Sequence, residues 1–426
     1  VHAGTTATAD TPRTAAAPAV PAVPQKRPVP LGRAVTLDGL FARAAGRRPG
    51  ATAVEDGSRS ITYEAAGKRS DRLATAILRS GVQLGDPVLV HCTDHVQALV
   101  AQLAVLKAGG VCVPVPCGAG AGVRGRIAAV SGAELVLCSG ATRTHWQRPA
   151  VVLDDERTWA RVTPLRVDRS LPRSSPTDAA YLIVEQDPAG PPAGHLIDHR
   201  AWALALTDRV RRAGRADRGV LCRAEPGGPD TLTSMWWSIA AGGTLHARQT
   251  VGTGSGLAVP RSGPGRIATA VFSPQTYAAV LAETARPPAR GPGTVVLVGE
   301  PCPPGLVDRH FALLPHTRLL AEFSPLDGAL PWAAVEHAPP GGDRPGGHVV
   351  GGATTRVRIT IRDIEGRVVP MGSTGEIWAS GAALPFDRLG ARGLSAPLGT
   401  PCAVSGRMGR WNDDGLLEVT GPRVRA

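Results

Sequence analysis

Residues 184–200 read VEQDPAGPPAGHLIDHR, a glycine-bearing stretch with a polar lead-in and a closing His-Arg pair. That outline is the one of a loop whose backbone N–H groups cradle phosphate. The same stretch carries Glu185, Asp187 and three prolines, and it has no lysine. Inside it, His195 and His199 stand at the i, i+4 spacing of a metal pair on one helix face. A zinc protease would need Glu at the second position of HLIDH, where Leu196 stands, so the spacing alone carries little. GAGVRG at 120–125 fits G-x-G-x-x-G, follows the apolar run VCVPV and precedes RGRIAAVSG, which has helical texture. A dinucleotide oxidoreductase would use Gly120 and Gly122 for close approach to a pyrophosphate at a helix N-terminus, and an acid at the end of the next strand for the ribose. That strand, ELVLCSG, ends in Ser139 and Gly140, and in a chain with 52 glycines coincidence explains the match better. Asp413-Asp414-Gly415 holds paired carboxylates, for which an Asp-Gly hairpin turn is the simpler account.

The elements that must position these residues alternate along the chain. TYEAAGKRSDRLATAILRSG offers Thr62 as an N-cap, Leu73 and Ile77 one turn apart, and Gly81 as a stop. GDPVLVHC follows as a buried strand, HVQALVAQLAVLKAGG as a helix ended by Gly109 and Gly110, then VCVPV and AELVLCS as strands. The texture recurs around TLTSMWWSIAAGG, ATAVFS and GTVVLVGE. Strands alternating with helices predict a mainly parallel sheet covered by helices. After about residue 345 the pattern changes. RVRITIRD alternates, with Val357, Ile359 and Ile361 on one side and Arg356, Arg358 and Arg362 on the other. IEGRVV, GEIWASG and WNDDGLLEV continue it, which predicts an antiparallel, half-exposed sheet or a small barrel. The expected organisation is an Ala/Pro-rich linker or disordered tail at 1–33, an α/β core at 34–345 and a β-rich unit at 346–426, with GTGSGLAVPRSGPG (252–265) as a flexible surface loop.

The chain has 426 residues, enough for two or three packed units. Its formal net charge is +12, but of 47 basic residues only Lys26, Lys68 and Lys107 are lysine, and the arginines are scattered. Such an arginine and alanine excess points to a GC-rich coding sequence rather than a selected basic surface. No recognition motif or aromatic stacking series accompanies the charge, so nucleic acid is not expected as a partner. No apolar run is long enough to span a bilayer, and residues 1–30 lack the apolar centre of a signal peptide, so no membrane is expected either. Seven widely spaced cysteines without a C-x-x-C imply a reduced, cytoplasmic setting.

Several segments, in order, resemble the adenylation domains of nonribosomal peptide synthetases, in the adenylate-forming superfamily. ITYEAAGKRSDRLATAILRSGVQLGDPVLV resembles the family's opening helix and strand, and LKAGGVCVPV its LKAGxxYVP. VLVGEPCPPGLVDR resembles the strand and GE-x-L before the substrate pocket, GSTGEIWASG the GELxIxG motif, and SGRMGRWNDDGLLEVTGPRV the TGDLGRxxxDGxLExxGRxD motif. The resemblance covers about residues 36–426. It implies two doubly wound α/β subdomains followed by a smaller antiparallel β subdomain, without the small C-terminal subdomain, since the family's terminal motif begins at Gly421 and the chain ends soon after. It also places the nucleotide at His199, Gly299, Glu300, Phe323, Ser324, Pro325 and Asp327, with Asp327 as the short substitute for a metal-linked Glu.

The departures from the family pattern fall on its chemistry. In the phosphate loop YTSGTTGxPKG, Glu185, Gln186 and Asp187 replace T-S-G, Pro188 and Ala189 replace the next two residues, and Ala193 replaces the lysine. Prolines remove N–H donors, and like charges about 4 Å apart repel by about 1 kcal/mol in water and about 4 kcal/mol near a protein surface. NxYGPTE becomes AEFSPLD, where Leu326 replaces the Thr that contacts phosphate. Arg407 stands where an Asp accepts hydrogen bonds from the ribose, and arginine only donates. The hinge Asp is Val424, the Asp that holds an amino acid's ammonium falls at Pro229 with Asp230 one place off, and no lysine follows Lys107. The expectation is a degenerate core that binds no cofactor and acts as a structural or interaction module beside neighbouring peptide-synthetase domains or a small accessory protein. The alternative is a divergent acyl- or aminoacyl-adenylating ligase using ATP and Mg, completed by a C-terminal subdomain in trans.

Overall fold

A computed structural model describes residues 35–185, 192–247, 269–284, 291–325, 330–339, 348–389 and 402–422. The stretch 1–33, the loop 252–265, residues 186–191, Leu326, Asp327 and Val424 therefore lie outside the described residues. Thr62 ends the strand Arg59–Thr62, and its hydroxyl accepts the Ala65 N–H to start the helix Tyr63–Arg79. Asp94 does the same for Gln97 at the head of the helix His95–Ala108. That helix is buried along its whole length, which matches its nearly continuous apolar sequence and its place between two sheets. It stops at Gly109, whose φ of 80° is left-handed and where a Cβ would lie 2.6 Å from Leu84 Cδ1.

In the seven-stranded sheet, Pro87–His91, Val111–Pro114, Leu135–Cys138 and Ala150–Val152 run parallel. Ala179–Val184 joins beside Val111–Pro114, and Gly194–Asp198 and Asp387–Leu389 complete the edge in antiparallel pairing. The 13-stranded sheet contains a parallel run of Thr52–Asp56, Leu245–Ala247, Val220–Cys222, Thr269–Phe272, Thr294–Gly299 and Arg318–Phe323. At Phe323 the direction changes, because Ala333–His337 pairs antiparallel with Arg318–Phe323. Val349–Ala353, Leu417–Pro422, Cys402–Trp411, Gly375–Ser380 and Arg358–Arg362 extend that antiparallel run. The β-rich region is thus a hydrogen-bonded continuation of the large sheet and not a closed barrel.

Helices Leu37–Arg47, Tyr63–Arg79, His95–Ala108, His199–Ala213 and Pro229–Ala241 share one buried cluster with strands of both sheets. They form the layer between the sheets. Pro274–Glu283 and Pro304–Leu313 pack in a second cluster on the large sheet, and Ala121–Ser131 packs in another on the small one. This is the doubly wound arrangement with an antiparallel extension. Val357, Ile359 and Ile361 are buried as their alternation requires, and the Arg362 guanidinium lies 4.9 Å from the Trp378 ring centroid. Arg356 departs from the alternation: its φ of 66° places it in a turn ahead of the strand.

Candidate functional site

The two described flanks of the stretch 184–200 pair as antiparallel strands. Val184 pairs with Gly194 and Ile183 with His195 across the antiparallel strands, and Glu185 N–H donates to the Ala193 carbonyl at 2.8 Å. Ala193, at the place of the family lysine, is fully buried. His195 belongs to a strand, whereas His199 is the first residue of a helix capped by Asp198, whose carboxylate accepts the Ala201 N–H. The i, i+4 spacing therefore spans two elements and builds no metal pair. His199 is buried, and its Nδ1 accepts the Leu37 N–H at 3.0 Å. Burial holds its pKa down at about 4, so the ring is neutral at pH 7, with its proton on Nε2.

Glu185 is not a bare negative charge. Its Oε1 meets His195 Nε2 at 2.8 Å and accepts from Arg388 Nη2 at 2.7 Å. Burial disfavours its ionised form, but the His195 hydrogen bond and the Arg388 charge outweigh it and hold the carboxyl below its ordinary range. The expectation of a carboxylate facing a polyanion therefore changes: the charge at Glu185 is compensated inside the protein, and Asp187 lies outside the described residues.

A cavity of about 710 Å³ opens where parallel strands of the large sheet end. Its size is in the range of small-molecule sites, about 300–1,000 Å³, and the carboxyl ends of parallel strands are where α/β sheets hold ligands. Gly299, Glu300, Ser324 and Pro325 line it, as do residues at the starts of three helices: Pro229 and Asp230, Pro274 and Gln275, Gly305 and Leu306. Each of those helices begins with proline, a residue suited to the first helical position because the N–H it lacks has no intrahelical partner. Asp230 is buried and its Oδ2 accepts the Ser273 N–H at 2.8 Å. Burial pushes its carboxyl above the ordinary value against that hydrogen bond. Ser324 is 2% exposed, and its hydroxyl has no partner among the described residues.

Arg407, in the antiparallel region, donates through Nη2 to Oε1 of Glu300, a lining residue, at 2.5 Å. Its backbone is set by Gly406, with φ 67°, and by Ser405 Oγ, which accepts the Arg407 N–H at 3.0 Å. Phe323, by contrast, packs in the core with Leu204, Trp332 and Val350, outside the cavity lining. The strand that presents Ser324 is anchored one residue earlier than Phe323. Glu322 accepts from Arg209 through both oxygens, with both side chains 1% exposed.

Of the sequence candidates, the structure brings Gly299, Glu300, Ser324 and Pro325 together and leaves His199 and Phe323 in the core. Sequence reasoning missed the part played by Ser273, Gln275 and Arg309 in the lining. A usable signal was the recurrence of proline at three helix starts. At GAGVRG the helix begins at Ala121, and a Cβ at Gly120, Gly122 or Gly125 would meet nothing within 4 Å. No close approach calls for glycine there. Asp413, Asp414 and Gly415 form the tip between two strands, with Gly415 at φ 70°. Among the described residues no three His, Cys, Asp or Glu side chains group to hold a metal, and no helix is long and apolar enough to cross a membrane.

The profile of the family described as AMP-binding enzyme matches residues 41–384. The chain is similar to phosphinothricin tripeptide synthetase PhsC of Streptomyces viridochromogenes, 30% identical over 91% of this chain and 36% of the relative. It is 29% identical to PhsB of the same organism, over 91% of this chain and 34% of the relative. The chain thus spans about a third of the length of these synthetases. Novobiocin biosynthesis protein H of Streptomyces niveus is 28% identical over 86% of this chain and 61% of its own. Among solved structures, the nonribosomal peptide synthetase FmoA3 superposes with a TM-score of 0.76 at 21% identity, over 93% of this chain and 43% of that one. VinN does so with a TM-score of 0.77 at 20% identity, over 92% and 100%.

Proposed function

Because the chain belongs to the AMP-binding enzyme family, as an adenylation domain of the nonribosomal-peptide-synthetase type in secondary-metabolite biosynthesis, we propose that it no longer activates an amino acid and serves as a structural or interaction module. The observation that carries this is the Arg407–Glu300 contact. Both positions are ones the family pattern gives to the nucleotide, and here they engage each other. A donor-only guanidinium cannot accept from ribose hydroxyls as a carboxylate does. A further feature supports the reading: Ala193 is buried where a lysine would add charge. Removing that charge removes the electrostatic stabilisation phosphate sites depend on. On this reading residues 34–345 are the α/β core and 346–426 the β-rich unit. The module acts in the cytoplasm without nucleotide or metal, and its partners are neighbouring peptide-synthetase domains or a small accessory protein. Calorimetric titration with Mg-ATP tests it, together with ATP–pyrophosphate exchange across the amino acids. Flat titrations and background exchange are expected, and saturable Mg-ATP binding would overturn the reading.

One observation favours a second reading, a divergent acyl- or aminoacyl-adenylating ligase. The cavity retains a buried acid, Asp230, and an unpartnered hydroxyl, Ser324, beside Glu300. Those groups fit a small polar-headed substrate, with Gly299 and Pro325 of the same lining and Asp327 as the remaining nucleotide and metal positions. Saturable Mg-ATP binding together with pyrophosphate exchange dependent on one carboxylic or amino acid would select it.

A further inference from the structure

Strand parity gathers three ionisable side chains on one sheet face. Arg388, His195 and Ile183 are cross-strand neighbours in consecutive strands. Glu185 follows Ile183 by two residues, so all four share a face, while Asp387 and Leu389 point to the other. On the shared face Glu185 Oε1 lies 2.7 Å from Arg388 Nη2 and 2.8 Å from His195 Nε2. The His195 side chain is 5% exposed and that of Glu185 26%. Two donors, one of them a permanent cation, converge on a single carboxylate oxygen. Short charge-assisted contacts of this kind are how proteins hold carboxylates and phosphates alike.

The geometry points to Glu185 as an internal anion: it fills a two-donor oxyanion site made by His195 and Arg388, and so acts as the specificity-determining residue that shuts phosphate-bearing ligands out of that site. Its carboxylate is attached one residue beyond the strand Ala179–Val184. A tethered group competes at an effective concentration of about millimolar or more, so a free oxyanion must displace it and also face its charge. This inference rests on the reading that the wild-type chain takes no triphosphate, and it names a residue that enforces that exclusion.

Inorganic tripolyphosphate, titrated calorimetrically into the full chain at low and high salt, is the test. The wild type is expected to give no saturable heat. Glu185→Gln, and Glu185→Ser as a second replacement, are expected to bind at least about tenfold more tightly than the wild-type limit, with affinity falling as salt rises. Glu185→Gln with Arg388→Gln loses the gain. Asp387→Asn, the same change in net charge on the opposite face, stays like the wild type. Thermal unfolding establishes that each variant is folded. Tripolyphosphate binding by the wild type equal to the variants, an equal gain in Asp387→Asn, or no gain in the folded Glu185 variants would each overturn the proposal. Mg-ATP binding by the wild type would instead overturn the scaffold reading, so the two failures are distinguishable.

Discussion

Replacing His95 by Gln should cost about 3 kcal/mol near pH 6, and the cost should vanish as the medium becomes alkaline. His95 is the first residue of the helix His95–Ala108, and its side chain is 1% exposed. Its Nδ1 lies 2.8 Å from Asp56 Oδ2, its Nε2 3.1 Å from the Ala224 carbonyl, and its backbone N–H donates to the same Asp56 oxygen at 2.9 Å. Both ring nitrogens face acceptors, the arrangement of a doubly protonated imidazolium. Burial disfavours that charge, but the hydrogen bond with Asp56, a further one with Cys222 and the Asp56 charge outweigh it, raising the pKa from 6.5 to about 9. At about 1.4 kcal/mol per pKa unit, the shift contributes about 3 kcal/mol. The folded value is raised, so the contribution is complete below pH 6.5 and disappears as pH climbs through about 9. Asp56 is depressed from its ordinary 3.8. Its own contribution is lost only on acidification below that value, outside this window. The assay is urea unfolding of wild type and His95→Gln at several pH values between 6 and 10. The free-energy difference should shrink by about 1.4 kcal/mol per pH unit above pH 6.5. A difference that stays level across the range refutes the ion-pair account.

Glu322→Leu should destabilise by about 3–5 kcal/mol, since it leaves the buried Arg209 guanidinium without its counter-charge. Adding Arg209→Met should recover most of that loss, and urea midpoints of the single and double variants check it. Ser324→Ala should raise the unfolding midpoint, because a buried hydroxyl without a partner costs about 1–3 kcal/mol; a fall in the midpoint would mean that the hydroxyl is engaged. Arg407→Asp should leave the thermal midpoint nearly unchanged, because its contact with Glu300 is open to solvent and screened. Pyrophosphate exchange should stay at background in that variant, since Ala193 and Glu185 remain; restored exchange would show that Arg407 alone blocks the chemistry.

Much of the fold was legible locally. The N-cap at Thr62, the stop at Gly109 and the buried run of His95–Ala108 need only neighbours within a few residues, and propensity and capping act at that range. The alternation at 357–361 gave the strand and its buried face, but not whether it closed into a barrel or continued the large sheet. That depends on the pairing of Ala333–His337 with both Arg318–Phe323 and Val349–Ala353. Gly299 and Ser324, where motifs end strands, come together in the lining of the cavity. His199 instead lies in the core, where its ring accepts the Leu37 N–H, a partner 162 residues away that no local motif reveals.

The amino-acid order alone determined which groups are available: acids and prolines in a glycine-bearing loop, an arginine at 407, no lysine beyond Lys107. It could not determine what those charges meet. Glu185 finds Arg388 across 203 residues, and Glu300 finds Arg407 across 107. Strand pairing sets the first meeting, whereas the second joins residues whose strands are not neighbours in the sheet, and a charge acts through its distance to others and the water between them. Only the assembled sheets decide whether a carboxylate repels a ligand or is already held.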